Sequence, residues 1–150
     1  MVKTKKRQSG FTMIEVIVVV AILGMALAGA SLYFKPMEGR LQTGVALAEG
    51  QLRQARVRAM ATTSAFRVRA DSSTRIVAES AASCAATTWA AVPELDVDLP
   101  GDVTLTDTSW SFCFGARGVS TVNATIALRH PRLGTTRIEV LRGGTTRIVQ

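Results

Sequence analysis

The first half of the chain carries two different helical patterns. Positions 11–34 are apolar apart from one acid, Glu15, and this run of 24 residues is long enough to span a bilayer. Further along, apolar or small residues recur every three or four positions, the spacing of one helical face. They are Leu41, Val45, Ala48, Leu52, Ala55 and Ala59. The other face carries polar and charged residues: Arg40, Gln42, Glu49, Gln51, Arg53, Gln54 and Arg58. The pattern predicts a long helix that is apolar all round over residues 11–35 and amphipathic over residues 36–63.

After Ser64 the pattern changes to alternation. Segments 65–70 and 74–79 flank the turn residues 71–73, which predicts a hairpin with exposed arginines, and residues 80–93 are small and polar like a loop. Turn signals separate the further predicted strands, 103–106, 110–114, 124–129, 136–141 and 145–149. A long helix followed by short strands predicts an α+β fold, in which the amphipathic half of the helix packs on an antiparallel β-sheet domain of residues 64–150.

The charge of the chain is concentrated at its start. The formal net charge of the 150 residues is +7, but Lys3, Lys5, Lys6 and Arg7 precede the apolar run, and without them the net charge falls to +3. That value is not typical of a nucleic-acid-binding protein. The basic leader is expected to stay in the cytoplasm by the positive-inside rule, which sends Lys35 and the residues after it across the membrane.

The acid within the apolar run points to a function. A carboxylate in a membrane span costs roughly 2.5–3.5 kcal/mol on insertion scales, so it marks a specific contact. If a helix begins at Phe11, Glu15 lies one turn in, where the helix dipole favours negative charge. A free amine on Phe11, in the same or a neighbouring chain, would be its counter-charge. The alternative is an ordinary secretory signal cut after the small residues 26–28 or 28–30; it leaves Glu15 unexplained.

The segment Gly10-Phe11-Thr12-Met13-Ile14-Glu15, between a basic leader and an apolar run, resembles the class III signal of type IV pilins and type II secretion pseudopilins. The resemblance implies that a prepilin peptidase removes residues 1–10, cutting between Gly10 and Phe11, and methylates the new amine of Phe11. It implies that Glu15 is the assembly contact. The implied partners are other pilin or pseudopilin subunits, the peptidase, the inner membrane and its assembly platform. The implied location is a single pass through the bacterial inner membrane, with the C-terminal domain in the periplasm, before incorporation into a pilus or pseudopilus.

Two cysteines, Cys84 and Cys113, lie in the part predicted to be exported. An even number of cysteines in an oxidising periplasm favours a disulfide. Closing a loop of this length would stabilise the fold by roughly 3–4 kcal/mol. Two distant cysteines and a single His130 beside a proline do not have the spacing of a metal site, so no metal or other cofactor is expected.

A looser resemblance covers residues 84–150. Cys84 followed by Trp89, then Phe112-Cys113-Phe114-Gly115 and a terminal Gly-x-x-Arg, resemble the GspH/FimT branch of minor pilins and pseudopilins. In FimT proteins linked to DNA uptake the C-terminal loop bears Gly-Arg-x-Arg. Here the corresponding segment, Gly144-Thr145-Thr146-Arg147, keeps the second arginine only, and Arg142 lies just before it.

Two functions therefore compete. The first is a structural subunit, a minor pilin or pseudopilin. The second is a minor pilin that captures DNA through Arg142 and Arg147, because six arginines face one acid over residues 115–150 and could neutralise phosphates. Two observations disfavour DNA binding. Arginines on strands more often form a solvated face of a sheet, and no aromatic residue follows Phe114 to stack on bases.

An enzyme is not predicted. The single histidine precedes a proline, and Glu94, Asp96 and Asp98 fall in a segment predicted to be a solvated loop without a paired base. A calcium site built from these three carboxylates is disfavoured because they lack the spacing and the glycine of an EF-hand loop.

Overall fold

The computed structural model describes residues 13–33 and 39–149, and in the first range it describes side chains as far as Met25. The chain divides into two compact units, residues 1–36 and 37–150. In the first unit, helix α1 spans Met13–Tyr33. Counting only the described residues, no helix is long and apolar enough to cross a membrane. The predicted leader, the cleavage residues Gly10 and Phe11, and both ends of the predicted span 11–35 lie outside the described residues.

In the second unit, helix α2 spans Gly39–Ala61, and its predicted apolar face is confirmed. All six residues of that face are at most 7% exposed. The helix ends where the pattern changes: Thr63 adopts a left-handed φ of 51°, and the Ser64 amide donates to the carbonyl of Ala59. Such left-handed residues close many helices because they turn the chain back over the last carbonyls.

One residue of the predicted polar face of α2 is buried instead. Gln51 is only 4% exposed, and its Nε2 donates to the carbonyl of Ile76 at 3.4 Å. The prediction of an exposed side chain was wrong because strand pairing at Ile76 and Val97 places a second layer of chain beside this face of the helix.

The strands form two antiparallel sheets. The first has the order β3-β2-β1-β6, and β4 also pairs with β2. Its strands are β1 Ala65–Ser72, β2 Arg75–Ala81, β3 Ala90–Ala91, β4 Val97–Asp98 and β6 Ser111–Phe114. The predicted hairpin is confirmed, although Asp71 and Ser72 extend the strand rather than forming the turn. The short β3 and the helical turn Pro93–Leu95 lie where the pattern indicated a loop or gave no element.

The second sheet has the order β5-β7-β8-β9. Its strands are β5 Thr104–Leu105, β7 Ala124–His130, β8 Gly134–Val140 and β9 Thr146–Val149. All were predicted to within a few residues. The α+β fold with α2 packed on antiparallel strands is confirmed, and the division of the strands into two sheets is an addition that the pattern did not indicate.

The core of the second unit lies between α2 and the inner faces of both sheets. Small residues on the helix, including Gly44 and Ala48, allow the strands to approach closely; a side chain at Gly44 would meet Val103 at 3.1 Å. The largest fully buried side chains include residues from both sheets: Val68, Ile76, Phe114, Ile126, Leu128, Ile138 and Val140. One continuous core therefore fixes the outer loops relative to the helix.

Candidate functional site

Helix α1 presents its apolar side chains outward. The large apolar side chains of residues 13–25 are 50–84% exposed, and Glu15 lies in the first turn. The N-terminal end of a helix favours a negative charge at that position. An exposed apolar surface of this extent needs lipid or other helices to cover it. The helix is therefore built to make contacts outside its own unit.

The predicted disulfide is present. Cys84, in the loop after β2, is joined to Cys113 of β6, with the two Cα atoms 5.8 Å apart. Cys113 is 5% exposed and lies on the face of the first sheet that is turned away from the core, beside Arg67 of β1. The bond therefore ties the loop to the outer face of the sheet.

A charged and aromatic cluster holds the same loop. The guanidinium of Arg67 lies 4.4 Å from the ring of Trp89, and its Nε donates to Glu79 Oε2 at 2.7 Å. The Nε1 of Trp89 donates to the carbonyl of Ala86 at 3.0 Å. Cation–π contact and a charge-assisted hydrogen bond both favour this arrangement. Arg67 was predicted to be an exposed hairpin arginine; it is partly buried because the disulfide loop covers it.

Arg69 completes this cluster. Its Nη1 donates to Asp71 Oδ1 at 3.0 Å, and its Nε donates to Glu79 Oε1 at 3.4 Å. Burial lowers the pKa of Arg69, but the hydrogen bonds and charges of Asp71 and Glu79 outweigh that effect and raise the pKa above its ordinary value. The outer face of the first sheet is thus internally neutralised rather than open to a charged ligand.

The prediction that the acids of residues 94–98 lie in a solvated loop was wrong for Asp96, whose side chain is 17% exposed. Its Oδ2 accepts from Arg75 Nη2 at 2.9 Å and its Oδ1 accepts from the amide of Ala78 at 3.2 Å. The hydrogen bond to Asp96 is also the main reason that the pKa of Arg75 is raised. Pairing of β4 with β2 brings these groups together. Within residues 13–33 and 39–149, no group of three or more His, Cys, Asp or Glu side chains is placed to hold a metal ion.

The two arginines proposed to bind DNA have different environments. Arg147 of β9 faces Glu139 of β8, and its Nε and Nη2 lie 2.7 and 2.6 Å from Glu139 Oε2. Arg142 is exposed in the turn after β8, where its amide donates to Asn123 Oδ1 at 2.8 Å. Among the described residues its guanidinium has no ion-pair partner. One of the two is therefore already neutralised and the other is open.

Arg56 of α2 was not identified from the sequence, and it organises the loops at the end of the domain. Its Nε donates to the carbonyl of Gly118 at 2.9 Å and its Nη2 to the carbonyl of Gly143 at 3.2 Å. These partners lie 62 and 87 positions away along the chain, so no local pattern indicates the contact. The result is that loop 115–118 and turn 141–145 form one rigid surface.

Glycine is required at two positions of that surface. Gly118 and Gly144 have φ of 71° and 77°, a region that L side chains rarely adopt. A Cβ at Gly144 would also lie 1.9 Å from the carbonyl oxygen of Gly118. The turn signals in the sequence predicted loops here, and the close approach of one loop to the other explains why those loops need glycine.

Comparison with known proteins agrees with this architecture. A family profile described as the prokaryotic N-terminal methylation motif matches residues 5–31, a range that contains Gly10, Phe11 and Glu15. No curated protein matches the chain in sequence. Two crystal forms of the type IV minor pilin FimU from Pseudomonas aeruginosa (strain PAO1) resemble it in fold.

The first crystal form of FimU has a TM-score of 0.62 and 16% identity, covering 77% of this chain and 92% of FimU. The second has a TM-score of 0.58 and 17% identity, covering 73% and 93%. The chain thus joins the N-terminal methylation motif of prepilin-type proteins to a domain with the type IV pilin fold, and both confirm its resemblance to the type IV pilin superfamily.

Proposed function

We propose that the chain is a minor pilin or pseudopilin of the GspH/FimT branch, a structural subunit of a type IV pilus or a type II secretion pseudopilus. One observation carries the proposal. A helix with apolar side chains on every side, and a single acid in its first turn, lies within the methylation motif and precedes a domain of the pilin fold. Its outward apolar surface suits a subunit whose contacts are made by other helices.

In this function each part of the chain has a physical task. Prepilin peptidase removes residues 1–10 and methylates Phe11, and residues 11–35 anchor the chain in the inner membrane with the domain in the periplasm. The assembly platform then extracts the subunit. Moving α1 from lipid into a bundle of similar helices exchanges one set of apolar contacts for another. Glu15 pairs with the amine of a neighbouring Phe11, which lowers the cost of its charge only when the subunits are in register.

Processing is the direct test. Mass spectrometry of the chain from its native host should give an N-terminal methylated Phe11. A Gly10→Leu variant should accumulate as an unprocessed membrane precursor, because the bulky side chain blocks cleavage. The matched control Ser9→Ala should be processed normally. An N-terminus at Gly29 or Ser31 would instead identify an ordinary secretory signal and contradict the proposal.

DNA capture on the same scaffold is the second candidate function. It is favoured by the exposed Arg129 and Arg137 on the outer face of the second sheet, which have no ion pair among the described residues, together with Arg142. The full chain in detergent would then bind duplex DNA without sequence preference and lose affinity steeply as salt rises. Combined Arg129→Ala, Arg137→Ala and Arg142→Ala should abolish that binding, because these three arginines have no ion pair among the described residues. No shift of the wild-type chain at low salt would rule this function out.

A further inference from the structure

We infer that the loop end of the domain is a docking surface for an acidic, partly apolar surface of a different protein subunit. Five exposed apolar side chains lie at this end, beside the C-terminal end of α2: Val57, Met60, Val119, Val122 and Leu141, each 38–58% exposed. Only two other large apolar side chains of the described domain, Leu47 and Ile148, are exposed to this degree. We call the five residues the distal patch.

The segments that carry the distal patch lie against one another, and Val57 and Met60 line a cavity together with Gly144. The side chain of Met60 packs against Gly118, which precedes Val119. The Ser120 amide donates to the carbonyl of Arg142 at 2.9 Å, so the loop containing Val119 lies against the turn that begins at Leu141. The Ser120 hydroxyl donates to the carbonyl of Val122 at 2.8 Å. Exposed apolar side chains that are gathered on adjacent segments mark an interaction site more often than scattered single residues do.

The patch is also rigid before any partner arrives. Arg56 donates hydrogen bonds to the carbonyls of Gly118 and Gly143, and Gly144 lies so close to the carbonyl oxygen of Gly118 that a Cβ there would clash with it. A preformed surface loses little conformational entropy on binding. This is the construction expected of a docking surface rather than of an incidental exposure of apolar atoms.

Charge indicates the chemistry of the partner. Arg117 and Arg142 border the patch, both are exposed, and within the described residues neither forms an ion pair. Arg56, on the helix side, donates hydrogen bonds to carbonyl groups and forms no ion pair within the described residues. The border of the patch is therefore cationic, and a partner with carboxylates around an apolar centre is its electrostatic complement.

A second copy of this chain is a poor complement. Residues 39–149 contain thirteen arginines and nine acids, and seven of those acids are already in ion pairs with arginines of the same domain. Of the other two, Asp102 follows Gly101, which lies beside Arg40 at the opposite end of α2, and Asp107 follows the strand β5 that pairs with β7 at Arg129. The partner is therefore a different subunit. DNA is disfavoured as well, because the five residues of the patch are apolar and cannot neutralise phosphates.

The test uses the full chain in cells that assemble it. A photoreactive amino acid replaces Val119 within the patch or, as control, Leu47, which is 43% exposed on the same helix-bearing domain but outside the patch. We expect an adduct at position 119 alone, to a peptide of another protein that contains Asp or Glu next to the attachment point. Arg117→Glu with Arg142→Glu should reduce it about tenfold or more, because the new carboxylates would face the carboxylates of the partner. Arg129→Glu with Arg132→Glu should leave it unchanged.

Three outcomes would overturn the inference: adducts to nucleic acid or to a second copy of the chain, an adduct that survives the first charge reversal, or equal labelling at positions 119 and 47. The partner is taken as a subunit of the proposed assembly, so methylation of Phe11 and recovery in filaments are measured in the same cells. Loss of both signals counts against the proposed function. Their retention without an adduct at position 119 counts against the docking surface only.

Discussion

The two helices differ in where their side chains find partners. Helix α1 has 21 residues and α2 has 23, yet the described large apolar side chains of α1 are at least half exposed while the apolar face of α2 is at most 7% exposed. The spacing of the apolar residues determines how α2 packs, since a shift of one residue would turn its apolar face away from the sheets. In α1 the large apolar residues do not mark out one buried face. The distinctive position of this helix is the acidic residue Glu15. Substitutions in α2 should therefore change the stability of the domain, and substitutions in α1 should change assembly.

The largest expected effect is at Glu15. Glu15→Ala should abolish incorporation into filaments while leaving membrane insertion intact, because it removes the proposed contact and an intramembrane charge together. The thermal unfolding midpoint of the domain should not change. Filament fractions probed with an antibody to the domain measure the first effect, and Val19→Ala in the same helix is the control. Wild-type amounts of the alanine variant in filaments would show that Glu15 is not the assembly contact.

The second effect separates buried from exposed positions within α2. Leu52 is fully buried, so Leu52→Ala should lower the free energy of unfolding by about 2–5 kcal/mol through lost transfer energy and a cavity. Leu47→Ala, at a position 43% exposed, should change it by about 0.5 kcal/mol or less. Urea unfolding of the full chain in detergent measures both. Equal losses from the two variants would mean that α2 does not pack as described.

The sequence alone predicted those features that depend on local spacing. The apolar face of α2, the β1–β2 hairpin and the strands of the second sheet follow from local periodicity, and periodicity predicted them. The disulfide followed from counting cysteines in an exported segment. These features depend on residues near one another in the chain or on one chemical rule.

What the sequence did not reveal depends on distant residues. Arg56 meets carbonyls 62 and 87 positions away, and Asp96 is neutralised because β4 returns to pair with β2. Gln51 looked polar and exposed, yet strand pairing beside it covers it. Local sequence patterns do not indicate contacts between residues that are so far apart in the chain. The candidate assembly helix was therefore predictable in outline, whereas the distal patch needed the structure.

A smaller effect tests the loop end of the domain. Gly144→Ala should destabilise the domain by about 1–3 kcal/mol, because alanine is strained at a left-handed φ and its Cβ would meet the carbonyl oxygen of Gly118. Gly143→Ala is the matched control, since nothing lies within 4 Å of a Cβ there. The urea midpoint of Gly144→Ala should be lower than that of Gly143→Ala. Identical midpoints would show that the two loops do not meet.

The smallest effect concerns the carboxylate of Asp107, whose hydrogen-bond partners lie two residues further along the chain. Asp107 Oδ1 accepts from the amide of Ser109 at 2.8 Å and from its hydroxyl at 2.7 Å, and these hydrogen bonds lower the pKa of Asp107. A lowered folded-state pKa stabilises the fold at pH values above the ordinary pKa of an aspartate, and this contribution disappears as the pH falls through the folded-state pKa.

The wild-type chain should therefore lose slightly more stability between pH 7 and acid pH than Asp107→Asn, which keeps the acceptor oxygen but not the charge. Urea midpoints measured across that pH range decide the matter, and parallel curves for the wild type and Asp107→Asn would show that the hydrogen bonds to Ser109 do not favour the charged form.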